Sequence, residues 1–283
     1  MLPIVAVIAP GMMGSAVAKR LTSSGLEVRT LLSGRSAATA ARAGAAGMRD
    51  ASVEQIAAAD FILSIVPPGQ ALGLAEQLAP ALRAASRRPI YVDCNAVSPE
   101  TVLRIEGVVR ETGAAFVDGG IIGPPPEPDS GKTRIYLSGP DAGTVARLSA
   151  FGLSMPVQPG PVGAASAMKM SYAGITKGFT ALGAAMMLAA TRAGTADALI
   201  AEMEVSQPTL LKWLTAQMPK MHGKAYRWVA EMEEIAAFVG ADRPGSGFYE
   251  AAARLYEGIA ADFEGPRIET ARLDAFCDKA QGK

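Results

Sequence analysis

The amino-acid sequence predicts an α/β domain with a doubly wound parallel sheet, followed by an all-α domain. Three observations support this prediction. Short β-rich runs alternate with alanine-rich helical stretches through the first half of the chain. A glycine-containing turn follows the first of these runs, and the β signal ends near residue 155. A βαβα rhythm of this kind is typical of a parallel sheet with helices on both faces.

The predicted strands are nearly continuous in apolar residues, as expected where helices cover both faces of a sheet. They are Ile4–Ile8, Glu27–Leu32, Phe61–Val66, Ile90–Cys94, Ala115–Asp118 and Arg134–Ser138. The segments between them have the composition and length of helices. The clearest are Gly14–Ser24, Ala37–Ala46 and Ala71–Ala85.

A segment rich in proline and glycine, MPVQPGPVG over residues 155–163, predicts a domain boundary. After it, one long helical pattern covers Ala164–Thr191. Further helices are expected around Asp197–Met203, Pro208–Gln217, Tyr226–Val239 and Gly247–Gly258. The sequence therefore predicts a first domain over residues 1–158 and a helical domain over residues 159–283.

Composition and charge disfavour several classes of function. Lys plus Arg and Asp plus Glu both number 27, so a broadly basic nucleic-acid-binding protein is not expected. Two distant cysteines and one histidine argue against a disulfide framework and most metal sites, and favour a reducing compartment. The apolar N-terminus lacks a basic leading region. The apolar run Phe179–Thr191 would span about 20 Å as a helix, against roughly 30 Å of hydrocarbon, which favours a buried helix. We expect a cytoplasmic protein with no membrane partner.

The turn after the first strand has the pattern of a phosphate-binding loop. Residues 9–14 correspond to G-x-G-x-x-G with Ala9 in the first place. Gly11 would let the backbone approach a pyrophosphate, and Gly14 would let the following helix pack closely on the strand. The helix N-terminus at Met12 and Met13 would offer N–H groups to the anion. This context predicts a Rossmann-like dinucleotide-binding domain, with an ordinary tight turn as the alternative.

The end of the second strand carries the signal for the type of cofactor. An acidic residue there would bind the ribose 2′-hydroxyl of NAD, and residues 31–36 contain none. Arg35, flanked by Ser33 and Ser36, can instead hold a 2′-phosphate. We therefore expect NADP, with NAD as the alternative if Arg35 is only a solvated loop cation.

Two other strand ends are expected on the cofactor side, because ligands bind at the carboxyl ends of such strands. Pro67 and Pro68 follow Val66, and proline cannot extend a β-ladder, so the chain leaves the sheet there. Asn95, after the next strand, is a candidate contact to the nicotinamide or its ribose. Asp93 and Asp118 are expected to brace the loops that follow them.

These motifs occur in the order found in a known family. The glycine turn, Val66–Pro68, Val92–Asn95 and Phe116–Gly119 resemble the N-terminal half of the β-hydroxyacid dehydrogenases, the relatives of 6-phosphogluconate dehydrogenase and 3-hydroxyisobutyrate dehydrogenase. The linking helix is similar to the family pattern G-x-x-G-x-G-x-x-x-K-x-x-N, through Gly160, Gly163, Ala165, Lys169 and Tyr172. The resemblance implies that Lys169 is the catalytic acid/base. The segment 225–236 resembles a divergent branch whose C-terminal domain has no known function.

Two departures from the family pattern concern the substrate. The motif S-G-G that binds the substrate carboxylate in the family is replaced by Ile122 and Gly123, followed by three prolines. The family asparagine after the lysine is Tyr172. Ile122, Gly123 and Tyr172 are therefore substrate candidates. Lys177 is a fourth, as a contact to a substrate anion or else a surface charge. The string over residues 118–125 also resembles the imine reductases, which usually carry Asp or Tyr in place of Lys169.

A lysine can accept and return the hydroxyl proton of an alcohol when burial lowers its pKa. The leading hypothesis is therefore an NADP-preferring dehydrogenase or reductase that acts on a small hydroxy acid or related carbonyl. The alternatives are an imine reductase and a non-catalytic dinucleotide-binding protein. Gly174, Gly178 and Gly183 would let another helix approach closely. With the resemblance, they favour a homodimer through the helical domain.

Overall fold

The computed structural model describes residues 2–128 and 131–282. It divides into two compact units, with the division between Met170 and Ser171. The first unit contains the sheet and the second is helical, which confirms the predicted fold class. The boundary predicted between residues 158 and 159 stays a prediction.

Within the described residues, seven strands form one sheet in the order β3-β2-β1-β4-β5-β6-β7. Neighbouring strands are parallel except β6 and β7, which are antiparallel. The strands are β1 (Ile4–Ile8), β2 (Glu27–Thr30), β3 (Arg49–Asp50), β4 (Phe61–Ser64), β5 (Ile90–Asp93), β6 (Ala115–Ile122) and β7 (Arg134–Ser138).

Each predicted strand is present, with two informative differences. The sequence did not predict β3, because this two-residue strand is charged and exposed and carries no apolar signal. Strand β6 continues past Asp118 because Gly119 to Ile122 pair with β7. This extension places the end of β6 beside the start of the long helix that follows.

The helices that cover the sheet are α1 (Met12–Ser23), α2 (Ala37–Ala45), α3 (Val53–Ala57), α4 (Ala71–Ala84), α5 (Pro99–Arg110) and α6 (Ala142–Ala146). The side chains of Ser36, Ser52 and Ser98 cap α2, α3 and α5. Alternate residues of β1 belong to different cores. Val5 and Val7 lie in one cluster, and Ala6 and Ile8 in the other. Both faces of the sheet are therefore buried, as predicted.

The second unit is helical. Helix α7 (Ala164–Arg192) begins in the first unit and continues into the second, which also contains α8 (Ala196–Ser206), α9 (Pro208–Met221), α10 (Ala225–Val239), α11 (Pro244–Glu264) and α12 (Ile268–Ala280). A Cβ on Gly183 would lie 2.5 Å from Leu214 of α9, and Gly178 packs against Phe248 and Tyr249 of α11. Helices of the same chain thus pack closely against these glycines. The glycines are therefore explained without a second copy of the protein.

Helix α7 is long and apolar enough to cross a membrane, with a mean hydropathy of 1.3 over its most apolar window. Half of that window is buried inside the protein. Partial burial of this kind is also found in the core helices of proteins that do not span a membrane. The buried run predicted over Phe179–Thr191 is buried only in part, because Phe179, Leu182 and Met186 are about half exposed.

Candidate functional site

The turn between β1 and α1 has the geometry of an anion-binding loop. Helix α1 starts at Met12 after Gly11, and no acidic residue lies in its first turn. A Cβ on Gly14 would lie 2.1 Å from the carbonyl oxygen of Ala9, so only glycine fits there. A Cβ on Gly11 would meet no protein atom within 4 Å. The N–H groups of Met12, Met13 and Gly14 have no acceptor within the helix and can serve an anion.

The loop after β2 carries the three residues predicted to read the 2′ position of the cofactor. Ser33 and Arg35 are exposed, as that role requires. The Ser36 hydroxyl accepts a 3.3 Å hydrogen bond from the backbone N–H of Thr39, and it lies 3.0 Å from the Thr39 hydroxyl. Ser36 therefore caps α2, and this structural role explains its presence.

Sequence reasoning missed two residues that support this loop. The Arg42 guanidinium donates to the carbonyl of Pro10 at 3.3 Å and to the Thr39 hydroxyl at 3.0 Å, so it joins α2 to the glycine turn. The Asp50 carboxylate, on β3, accepts from the backbone N–H of Leu32 at 3.0 Å. Neither residue stands in a recognisable motif, because both contacts depend on tertiary structure.

The ends of β4 and β5 are joined by the side chain of Asn95, which is 2% exposed. Its amide donates to the Ser64 hydroxyl at 2.9 Å and to the Asp93 carboxylate at 3.0 Å, and its oxygen accepts from the backbone N–H of Val66 at 2.6 Å. The amide donors are thus used inside the protein. The structure places Asn95 as a support for Val66, after which Pro67 and Pro68 lead the chain out of the sheet.

Lys169 lies on the part of α7 that packs against β6. A Cβ on Gly120 would be 2.8 Å from the carbonyl oxygen of Ala165 and 3.2 Å from Cβ of Lys169, so the helix and strand are in close contact. The Lys169 Nζ atom donates to the carbonyl oxygen of Ile121 at 2.8 Å. Since β6 is parallel to β5, the amine lies at the carboxyl edge of the sheet. The glycine turn follows β1 at the same edge.

Asp118 and Asp93 brace backbone segments, as expected. The Asp118 carboxylate is fully buried and accepts hydrogen bonds from β7 and from the start of α7. The Asp93 carboxylate accepts from the backbone N–H of Asn95 at 2.9 Å as well as from its amide. Asp93 ends β5 and Asp118 lies within β6, and the oxygens of both acids are turned into the protein.

The substrate candidates fall into two groups. Ile122 ends β6 next to Ile121, the residue that Lys169 contacts, and Gly123 follows the strand. Gly123 has a φ of +121°, and a Cβ on it would lie 2.3 Å from the carbonyl oxygen of Lys132. Glycine is therefore required for that turn. Tyr172, on α7, is 52% exposed.

Lys177 belongs to a separate cluster in the helical unit. Its amine forms an ion pair with Glu231, and it lies 5.1 Å from the ring centre of Trp228. Both charged side chains are 17% exposed. Burial lowers the pKa of Lys177, and the Glu231 carboxylate opposes that shift. Because the lysine is already paired, its charge is largely neutralised before any substrate anion could use it.

Two other kinds of chemistry find no support in the described residues. Burial, followed by the Asp93 carboxylate, raises the pKa of Cys94 well above its usual value, so this thiol is a poor nucleophile. Among residues 2–128 and 131–282, no group of three or more His, Cys, Asp or Glu side chains is placed to hold a metal ion.

Two families match this chain. Residues 4–151 match the NAD binding domain of 6-phosphogluconate dehydrogenase, and residues 190–259 match a domain of unknown function, DUF1932. A curated relative from Methanothermus fervidus, an uncharacterized 28.5 kDa protein in a 7S RNA 5′ region, is 30% identical over 185 residues. That alignment covers 64% of this chain and 69% of the relative.

The solved structures give the same fold. A conserved protein of unknown function, described as structurally similar to 3-hydroxyacid dehydrogenases, is 30% identical with a TM-score of 0.68, over 94% of this chain and 99% of that one. Mycobacterium tuberculosis 3-hydroxyisobutyrate dehydrogenase is 18% identical with a TM-score of 0.70, over 100% and 99%. Streptomyces aurantiacus imine reductase is 22% identical with a TM-score of 0.55, over 99% and 100%. The last two show the fold alone.

The predicted resemblance is thus confirmed, and the family match supports an oxidoreductase that uses a nicotinamide dinucleotide. The helical half carries a match of its own, as expected for a divergent branch. With the glycine turn and its match over residues 4–151, the chain belongs to the family of the NAD binding domain of 6-phosphogluconate dehydrogenase.

Proposed function

We propose that this protein is an NADP-preferring dehydrogenase or reductase that acts on a small hydroxy acid or a related carbonyl, with Lys169 as the general acid/base. One observation carries the proposal. The Lys169 amine is held 2.8 Å from the carbonyl oxygen of Ile121, at the sheet edge where the glycine turn lies. A proton-transfer group and a dinucleotide site thus share one edge.

The amine suits this role because its neutral form accepts a proton on the nitrogen lone pair and its ammonium form donates one. Its contact with the carbonyl oxygen of Ile121 fixes the position of the nitrogen. When bound, the nicotinamide supplies the hydride acceptor or donor. The neutral Lys169 amine takes the hydroxyl proton as the alcohol is oxidised, and the ammonium form gives a proton to the oxygen when the carbonyl is reduced.

The glycine turn, from Gly11 to Gly14, is the proposed pyrophosphate site. Gly11 supports this assignment because no protein contact requires glycine there, whereas close approach of an anion does. Val66, Pro67 and Pro68 are proposed to line the same edge, and Asn95 to fix them from behind.

Arg35 with Ser33 is proposed to bind the 2′-phosphate, which makes NADP the preferred cofactor. A charge-assisted hydrogen bond contributes about 1.5–3 kcal/mol, which corresponds to roughly 10- to 100-fold in affinity. We expect Arg35→Ala to weaken NADPH binding by that factor and NADH binding by less than about twofold. Arg104→Ala, at an exposed position on α5, is the matched control. Equal losses for the two cofactors would refute the assignment.

Imine reduction is the second candidate function. It is supported by the segment after β6, where Pro124 and Pro125 follow Gly123, and by the shared fold with an imine reductase. A panel of 2- and 3-oxo acids, aldehydes and a cyclic imine, followed by NADPH absorbance, separates the candidates. Turnover of the cyclic imine alone selects this function. Tight NADPH binding without turnover of any compound selects a non-catalytic dinucleotide-binding protein.

We propose that the active form is a cytoplasmic homodimer assembled through the helical domain. Helix α7 carries an exposed apolar row that is 48–62% accessible and spaced alternately by three and four residues: Tyr172, Ile175, Phe179, Leu182 and Met186. This is the spacing of a helix face that packs against another helix. The cysteines Cys94 and Cys277 are free and buried, which fits a reducing compartment.

A further inference from the structure

We propose that Asp118, a buried carboxylate on β6, is the positioning residue that holds the Lys169 amine at the sheet edge by fixing the first turn of α7. The inference rests on the proposed role of Lys169. It adds a residue on a different element that touches neither cofactor nor substrate.

The Asp118 side chain is fully buried and its oxygens accept four hydrogen bonds. Its Oδ2 atom accepts from the backbone N–H groups of Gly163 and Ser166 and from the Ser138 hydroxyl, each at 3.0 Å. Its Oδ1 atom accepts from the Ser166 hydroxyl at 2.6 Å. Ser138 and Ser166 are themselves buried, so the cluster is closed to water.

These contacts cap the N-terminus of α7. The first N–H groups of a helix have no acceptor within it, and a negative charge at that end is favourable. Helix α7 begins at Ala164, and the preceding residue, Gly163, has no side chain that can cap it. Asp118, on β6, supplies the oxygen that accepts from Gly163 and Ser166, and the Ser138 hydroxyl, which donates to Asp118, accepts from the N–H of Ala165. A buried carboxylate would otherwise be costly, which makes this pairing specific.

The cap is linked to the lysine at two places. Lys169 follows Ser166 by three residues, one turn along α7, so the two side chains lie on the same side of the helix. Ile121, whose carbonyl accepts from Nζ, follows Asp118 by three residues on β6. Gly120 lies between Asp118 and Ile121 on β6. Because it has no side chain, α7 packs so closely that a Cβ on Gly120 would lie 2.8 Å from the carbonyl oxygen of Ala165. Asp118 thus sets the register between the strand that receives the amine and the helix that carries it.

Two substitutions separate charge from geometry. An asparagine oxygen has two lone pairs and can accept from the N–H groups of Gly163 and Ser166, and its NH₂ can donate to the Ser166 hydroxyl, which also accepts. Asp118→Asn can therefore keep the cap. Asp118→Ala removes the acceptor of two N–H groups and of two hydroxyl protons, whereas the Ser138 hydroxyl can still accept from the backbone N–H of Ala165.

The first experiment needs no substrate. Crystal structures of Asp118→Asn and Asp118→Ala are compared with the wild-type protein at the Lys169 amine. We expect the contact to Ile121 to persist in Asp118→Asn and to be lost in Asp118→Ala. An unchanged amine position in Asp118→Ala overturns the inference.

The second experiment measures NADPH affinity and the kcat for whichever compound of the panel is reduced. Misplacement of a catalytic group by about 1 Å can cost on the order of 100-fold in rate, so we expect Asp118→Ala to lower kcat by roughly 30- to 100-fold with NADPH affinity kept. The kcat of Asp118→Asn should stay within about fivefold of the wild-type value. Asp60→Ala is the control, because that carboxylate also accepts a backbone N–H, from Ile4, but lies away from α7. An equal loss of kcat in the control would indicate general destabilisation and overturn the inference.

If Asp118→Ala does not fold, Ser166→Ala removes one contact of the cap, and we expect a fall in kcat of about three- to tenfold with unchanged NADPH affinity. For Ser166→Ala, a normal kcat would count against the inference. A change in its NADPH affinity would also count against it. Lys169→Met is measured in parallel. If Lys169→Met keeps the wild-type kcat, the proposed function is wrong. If its kcat falls while the kcat values of Asp118→Ala and Ser166→Ala do not, only the present inference is wrong.

Discussion

Gly11 and Gly14, the two glycines of the first turn, serve different purposes. Gly14 is required by the protein itself, because a side chain would collide with the carbonyl oxygen of Ala9 at 2.1 Å. Gly11 is surrounded by open space, and its φ of −71° is available to any residue. This open space is consistent with the proposed pyrophosphate site, where a ligand approaches the backbone closely.

Substitution of each glycine by alanine should separate stability from binding. We expect Gly14→Ala to lower the free energy of unfolding by about 1–3 kcal/mol, the usual cost of overpacking. Gly11→Ala should leave it within about 0.5 kcal/mol and weaken NADPH binding at least tenfold. Urea unfolding and NADPH fluorescence titration measure the two quantities. Normal NADPH binding by Gly11→Ala would contradict the assignment of the turn.

Sequence reasoning at the residue scale succeeds where a motif fixes the surroundings. Lys169 and the glycine turn could be found in this way, and the structure places both at one sheet edge. The contacts of Asn95 could not, because its enclosure depends on Ser64 and Val66, some 30 residues away. Its predicted contact to the nicotinamide stays a prediction, and its amide donors are already engaged.

Helix α7 shows why the arrangement of an element is harder to predict than its existence. The sequence predicted the helix and the close approach of neighbours to its glycines. It assigned that approach to a second copy, whereas α9 and α11 of the same chain fill the space. Composition alone cannot tell which helix packs on a small-residue face. The short strand β3 lacked a signal. Helices α3 and α5 each had one, the capping box of Ser52 and Gln55 in α3 and the start Ser98, Pro99 and Glu100 in α5.

Alanine substitution of two helical glycines tests the packing of α9 on α7. We expect Gly183→Ala to destabilise the protein by about 0.5–2 kcal/mol, because its Cβ would lie 2.5 Å from a terminal methyl of Leu214 and the higher helix propensity of alanine offsets only part of that overpacking. Gly107→Ala is the matched change in α5, where a Cβ meets nothing, and should stabilise the protein by about 0.5–1 kcal/mol. Thermal and urea unfolding provide the comparison. If Gly183→Ala is as stable as the wild-type protein, the packing of α9 on α7 is not as described.

The exposed apolar row on α7 is the proposed dimer interface. Phe179→Glu places a charge within the row, and we expect it to weaken dimerisation at least 100-fold, since burial of an unpaired charge is costly. Val205→Glu, on α8 at a position 85% exposed, is the control and should leave the dimer intact. Sedimentation equilibrium measures the dimer fraction. Dimers that persist in Phe179→Glu would place the interface elsewhere.

At the scale of the molecule, the proposed reaction depends on one amine, that of Lys169, which acts on a substrate beside a bound nicotinamide. The most direct test is a single-turnover reaction of NADPH-saturated Lys169→Met with the compound that the wild-type protein reduces. Loss of a general acid costs about 10²- to 10⁴-fold in rate, so we expect NADPH oxidation to slow by that factor while NADPH affinity stays within about threefold. Oxidation at the wild-type rate would contradict the central claim.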